Sequence, residues 1–244
     1  MSELATVRVP RPYEAAFGSA CSRLRALQPE HPRVYAAAAM ADQGKRRWWA
    51  LSTGLREGRI DLMYRRHAAE MISATAAAEV VATALIHAVV GRVAALWVAD
   101  GRAWDPGPEN LCIHTDNDGG IDWAGLADTT IRVVDGDPLA DSPGVVTLPC
   151  ERAMWVWLAY RCEPSLLLVQ GALARCAGLS PRRFWVLVAE SVCGATTYVP
   201  ALAGADPVAG ARRGEGLLKA LEDRGLAIRR AQRVAQLGKP DLYS

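Results

Sequence analysis

The most sustained apolar pattern in the chain is EMISATAAAEVVATALIHAVVGR, residues 70–92, in which Glu79 and His87 stand among Ala, Val, Leu and Ile. Thr75, Glu79, Thr83 and His87 follow one another at a spacing of four. On an α-helix each such step turns only about 40°, so the four side chains form one slightly slanted polar stripe. Ile72, Ala76, Val80, Val81, Leu85, Ile86 and Val90 cover the rest of the helix. A helix apolar nearly all round is expected to be buried, and its polar groups must then find partners. The stripe therefore either packs against another polar helix or lines a cavity.

The same periodicities place the other elements. The N-terminus, MSELATVRVPRPYEAAFGSA, has a strand-like start and then an amphipathic segment; residues 12–27 read as a first helix and 33–41 as a short second one. A long helix covers about 60–90. Between 92 and 105 the period changes, and VAALWV and RAW around Asp100-Gly101 predict a tight β-hairpin. NLCIHT (110–115) and TTIRVV (129–134) are further strands, so that 94–134 reads as an antiparallel unit. From Pro149 the chain turns helical again. ERAMWVWLAYRCE should end at Pro164, with SLLLVQGALARCA as a separate helix. Ser180-Pro181 supplies an N-cap followed by proline at the first helical position, and the helix it opens should stop before Pro200. A last helix covers Val208 to Asp223, Gly225 caps it, and LAIRR is extended. The predicted fold class is α+β, mostly helical, with a small antiparallel sheet in the middle of the chain. An N-terminal helical part, 1–100, leads into a sheet and C-terminal helical part, 101–244, or the whole forms one continuous domain.

Composition narrows the function classes. The 244 residues carry a formal net charge of +2, with no polyanion-binding signature, so nucleic acid is not an expected partner. No basic segment followed by an apolar core marks a leader peptide, and Glu79 and Glu190 interrupt the apolar runs, which argues against membrane spans. Six cysteines occur without a CxxC pair and read as reduced, and the expected compartment is the cytoplasm. Residues 100–141 are acidic and 206–244 basic, both read as solvated surface.

Glu79 is the first candidate for chemistry. A carboxyl in apolar surroundings is desolvated, and its pKa rises toward the range useful for proton transfer. Glu190, with Arg183 two turns before it and Thr197 two turns after, is a second. Either glutamate can instead pair with an arginine as a structural ion pair. HTDNDGGID resembles a calcium loop only in its spaced carboxylates and reads as a turn. His31, His67 and His114 lack partners at metal-ligand spacing, and no phosphate loop or nucleophile elbow occurs; neither a metal nor a cofactor is expected.

The order of segments resembles the FhuF family of ferric-siderophore reductases. The resemblance is carried by PCERAMWVWLAYRCEPSLLLVQGALARCAGLSPRRFWVLVAESVCGATTYV, with its Trp-bearing helix, and continues into RGEGLLKALEDRGLAIRRAQRVAQLGKPDLYS. ISATAAAEVVATALIHAVVGRVAALWV aligns more loosely, and the whole spans about residues 60–235. The family's tail places paired cysteines and a CxxC after a basic pair, and these bind a [2Fe-2S] cluster. Here Arg229-Arg230 is followed by Ala231 and Gln232, and no cysteine occurs after Cys193. A cluster of that type needs four thiolates or substituting histidines, so the resemblance implies a small-molecule cleft without the family's electron transfer.

These readings converge on a siderophore-like or secondary-metabolite ligand and a cofactor-free cyclisation or condensation. Glu79 would carry the proton, His87 and Thr83 would orient, Thr75, Arg183 and Glu190 would bind substrate, and Trp97 and Trp104 would provide aromatic walls. The expected partner is a small-molecule substrate, with neither nucleic acid nor membrane, and a homodimer is compatible. The alternative is a non-catalytic protein that holds a ferric siderophore or a reductase through an open, charge-lined surface.

Overall fold

The computed structural model describes residues 14–42, 48–54, 56–115 and 120–228. The strand-like start, the DNDG portion of the acidic turn and the Arg229-Arg230 tail lie outside the described residues. The chain begins with α1 (Glu14–Ala26), followed by β1 (Ala37–Ala39), a 3₁₀ turn (Met40–Asp42), β2 (Trp48–Ala50) and α2 (Leu51–Gly54). Next come α3 (Arg59–Glu70) and α4 (Ala74–Ile86), a π-helical turn (His87–Gly91) and α5 (Arg92–Asp100). Four strands follow: β3 (Leu111–Thr115), β4 (Ile121–Leu126), β5 (Ile131–Val134) and β6 (Val145–Leu148). Three long helices, α6 (Glu151–Cys176), α7 (Pro181–Ala203) and α8 (Pro207–Asp223), close the described chain. The fold is α+β and mostly helical, as its sequence predicts.

α4, the π turn and α5 form one continuous helix, Ala74–Asp100, and this is the axis of the molecule. From Val81 onward nearly every apolar side chain on it is buried. α4 packs on α3, α6 and α7, while α5 packs on α1, α7 and α8. This helix and Pro181–Ala203 are both long and apolar enough to span a bilayer by length and composition; the first lies mostly inside the core. Buried residues from Ala16 to Ile228 belong to one contiguous cluster.

The central helix corrects two expectations. Its start is set off from α3, because Met71 is extended (φ −101°, ψ 145°) and Ser73 caps α4 by accepting from the Ala76 N–H at 3.3 Å. More consequentially, VAALWV is helix and not strand. Asp100-Gly101 makes no hairpin; Gly101, at φ 71° and ψ 22°, is the left-handed residue that ends α5, donating to Trp97 O at 2.9 Å. The same Gly suits a tight turn or a helix C-cap. Burial on all sides removed the periodicity that would have told them apart. Of RAW, only Ala103 pairs, through an isolated bridge to Arg132.

The sheet is mixed where an antiparallel one was expected. Its order is β1-β4-β3-β2, with β2/β3 and β3/β4 antiparallel but β1/β4 parallel, and β5 and β6 form a separate parallel pair. The short helix expected over 33–41 is not found: Ala37–Ala39 is drawn into β1 by pairing with β4, with Ala37 facing Ala124 and Ala39 facing Leu126, and Met40–Asp42 is a 3₁₀ turn. β4 rests on the π turn.

Both predicted proline breaks are also corrected. α6 runs unbroken through Pro164 and α7 through Pro200. A proline removes one N–H and so orphans the carbonyl four residues earlier. For Pro164 that carbonyl belongs to Tyr160, an exposed residue on the outer side of α6. The predicted start of α7 is found: Ser180 Oγ accepts from the Arg183 N–H at 3.2 Å, and Pro181 holds the first helical position.

Candidate functional site

α4 and α7 lie side by side, and two adjoining cavities open along their seam. The larger, about 620 Å³, is walled by Val34, Ala76, Val80, Ala84, Ile121 and Leu187, with Glu79, Thr83, His87, Arg92 and Arg183 as its polar residues. The smaller, about 320 Å³, is bounded by Tyr35, His87, Gly91, Glu190, Ser191 and Tyr198 among others. Thr83, His87 and Leu187 belong to both.

Glu79 does not have the environment expected of a proton carrier. The N-cap of α7 sets Arg183 in its first turn, where it meets Glu79 in a bidentate pair: Nε donates to Oε1 and Nη2 to Oε2, both at 2.8 Å. Arg183 Nη1 reaches Glu190 Oε1 at 3.5 Å. Glu79 is 32% and Arg183 38% exposed in the side chain. The hydrogen-bonded guanidinium outweighs desolvation and holds the Glu79 carboxyl below the usual carboxylate range, the reverse of the expected rise. The pair forms part of the wall of the larger cavity.

The other expected residues divide. Arg183, Glu190 and Thr83 do line the cavities. Thr75 is exposed and lines neither, and the stripe it begins faces partly outward. Trp97 and Trp104, expected as aromatic walls, are instead fully buried in the core. Trp97 donates its Nε1–H to Arg213 O at 3.1 Å beneath the Arg213 guanidinium, and Trp104 packs edge-on against Phe17.

His87 is the residue that the fold brings to the centre. It opens the π turn, in which the Arg92 N–H bonds back to His87 O, five residues earlier rather than four. Such turns bulge the helix locally and recur at functional sites. The ring lies edge-on to Tyr35 at 5.4 Å, and its Nε2 stands 2.7 Å from Val34 O. A carbonyl can only accept, so Nε2 carries the proton and Nδ1 keeps its lone pair. Burial, then the charge of Arg92, pushes the His87 pKa down to about 4, so the ring is neutral at ordinary pH. Nδ1 points toward Gly91 and Ser191: a Cβ on Gly91 would stand 2.3 Å from Nδ1 and 2.9 Å from Ser191 Oγ. Only a glycine lets the ring fold back over the turn here. The result is a fixed, uncharged acceptor, with a serine hydroxyl one water's reach away, on the wall shared by two cavities.

Arg92 is the feature that sequence reasoning missed. It is 2% exposed, yet among the described residues it makes no hydrogen bond to a carboxylate. Nε donates to Val34 O at 3.1 Å, and Nη2 to Arg33 O and Asp122 O at 3.3 and 3.1 Å. Val34 O thus ties His87 and Arg92 together. Tyr35 and Ser191 were missed as well, for they lie in stretches with no periodic or motif signal of their own.

Compared with protein-family models, with curated proteins and with solved structures, the chain matches none.

Proposed function

We propose that this chain binds a small organic molecule, siderophore-like or of secondary metabolism, in the cleft between α4 and α7, with an FhuF-like architecture that does no iron–sulfur chemistry. The observation that supports this most is His87: a neutral imidazole, oriented by Val34 O on a π turn, on the wall shared by the two cavities. Pockets that bind ligands of this size are apolar with a few fixed polar groups, and the 620 Å³ cleft has that composition. In the catalytic form of this reading, a cofactor-free cyclisation or condensation in the cytoplasm, the proton acceptor is His87 and not Glu79. A group with a pKa of about 4 is unprotonated near neutrality and can accept a proton without first losing one. Holding a ligand without turnover is the second reading. It is favoured by that same low value, since general bases work best with a pKa near the working pH.

The test uses N-phenyl-1-naphthylamine, a neutral apolar dye that brightens on leaving water. The expected result is saturable binding near one dye per chain, lost in Thr83→Trp, which fills the junction of the cavities from an exposed helix position. A Thr83→Trp variant that folds and binds the dye unchanged would remove the cleft as the binding site.

A further inference from the structure

The cleft holds two guanidinium groups in contrasting states. Arg183 is neutralised, sharing two hydrogen bonds with Glu79 and a longer one with Glu190. Arg92 is almost wholly buried and, among the described residues, bonded only to backbone carbonyls. Three buried polar side-chain atoms among the described residues have no partner: Arg92 Nη1, Trp104 Nε1 and His114 Nδ1. Of the three residues, only Arg92 belongs to the cleft wall. The carboxylate acting on its charge is Asp122, which is itself engaged by Arg33 at 3.2 Å. A buried unpaired donor on a cation is costly, and more so than on a neutral group. Among the residues lining the larger cavity Glu79 and Arg183 cancel, which leaves Arg92 as its remaining cation, with Asp122 behind it and Glu190 in the adjoining cavity.

We propose that the cleft takes an apolar monocarboxylic acid, whose carboxylate accepts from Arg92 Nη1, an atom enclosed just behind the wall that a small turn of the guanidinium brings to the ligand, while its hydrocarbon portion lies along Val34, Val80, Ile121 and Leu187. This rests on the small-molecule reading above and names the ligand class for the same site. A carboxylate supplies the missing acceptor and the missing charge together. A neutral ligand would supply at most the first. Arg183 cannot take the role without surrendering Glu79. Beyond the carboxylate, Val34, Val80, Ile121 and Leu187 offer an apolar surface, which suits a tail over a second charge.

Calorimetric titration of the full chain with octanoate and with octanamide, which matches its shape without the charge, tests this. Octanoate is expected to bind about tenfold or more tightly than octanamide, the size of a charge-assisted hydrogen bond. That preference should vanish in Arg92→Gln and persist in Arg183→Gln. Should Arg92→Gln fail to fold, the side-chain ¹⁵N resonances of wild-type protein decide: octanoate should shift those of Arg92 and leave those of Arg183 in place. Equal affinity for the two probes, or shifts confined to Arg183, overturns the carboxylate assignment. If both probes bind equally and Thr83→Trp abolishes both, the small-molecule reading stands while this one falls. If neither probe binds and the dye fails too, both fall.

Discussion

At the residue scale, the molecule separates groups that look alike in sequence by what surrounds them. Glu79 has the depressed pKa of a paired carboxylate, so the stability it contributes is present above its unfolded pKa and is lost as pH falls through the lower, folded value. Because both partners are about a third exposed, solvent discounts that contribution. Glu79→Gln should therefore fold, and a double-mutant cycle with Arg183→Gln should give a coupling below about 1 kcal/mol in denaturant titrations. A coupling of several kcal/mol would mean the pair is shielded after all. His87 behaves oppositely to a histidine that gains a partner. Its folded pKa of about 4 lies below the ordinary 6.5, so between those values the unfolded chain takes up a proton that the folded ring refuses. Stability is then complete above pH 6.5 and declines by roughly 3 kcal/mol as pH falls toward 4. Stability curves for wild type and His87→Gln across that range should differ in slope, and parallel curves would show that the ring is not held neutral. The spacing of four that singles out Glu79 and His87 is visible in the sequence. What each meets is not, because Arg183 is 104 residues from Glu79 and Val34 is 53 from His87. Arg92 was hidden for a different reason, since arginine is ordinarily a surface residue and nothing local marks one that is enclosed.

At the scale of elements, legibility follows how local the deciding interaction is. The cap of α7 is read from two residues, Ser180 and Pro181, because the cap is made by those two residues. The supposed hairpin at Asp100-Gly101 failed because its glycine serves two geometries, and neighbours from α1, α7 and α8 choose between them. The Ala37–Ala39 stretch shows the same override, with β4 supplying the partner. Pro164 misled because a proline's effect depends on whether the freed carbonyl can reach water. α6 keeps its helix there but lacks one bond, so Pro164→Ala should restore it. The expected gain is about 1 kcal/mol, less than proline's full helical penalty because the alanine chain has more freedom to lose on folding. A rise in the urea midpoint at unchanged slope would confirm this, and a fall would show that the ring of Pro164 packs too well to replace.

At the scale of the whole molecule, the mostly helical class was legible from apolar periodicity, while the direction of the sheet was not, since parallel pairing of β1 with β4 joins segments 87 residues apart. The C-terminal helices depend on close approach. On α8 a Cβ at Gly214 would stand 1.9 Å from Thr196 Oγ1 of α7, and one at Gly216 would stand 2.0 Å from the Trp155 ring of α6. Gly216→Ala improves helix propensity by about 1 kcal/mol but forces these helices apart or turns Trp155 out of place. A net loss of about 1–3 kcal/mol is expected from thermal or urea denaturation, and a net gain would mean that Trp155 yields freely.

The π turn has a further consequence for tolerated changes in chain length. Removing one residue from an ordinary helix rotates everything beyond the cut by about 100° and turns buried side chains outward. A π turn differs in that it already holds one residue more than an α-helical path between the same flanks needs. Deleting Ala88 should therefore let Ala74–Asp100 close into regular α-helix, with α4 and α5 keeping their phase against α7. Deleting Ala82, nearly two turns earlier in the regular helix, should collapse the fold. The shortened Ala88 variant would be a folded chain without the His87 bulge. If circular dichroism and denaturation show both deletions equally ruinous, the extra residue is bound into the core and cannot be shed. If only the Ala88 deletion folds, the core and the binding wall are separable, and this one position is where a lineage could gain or lose the site by a three-nucleotide change.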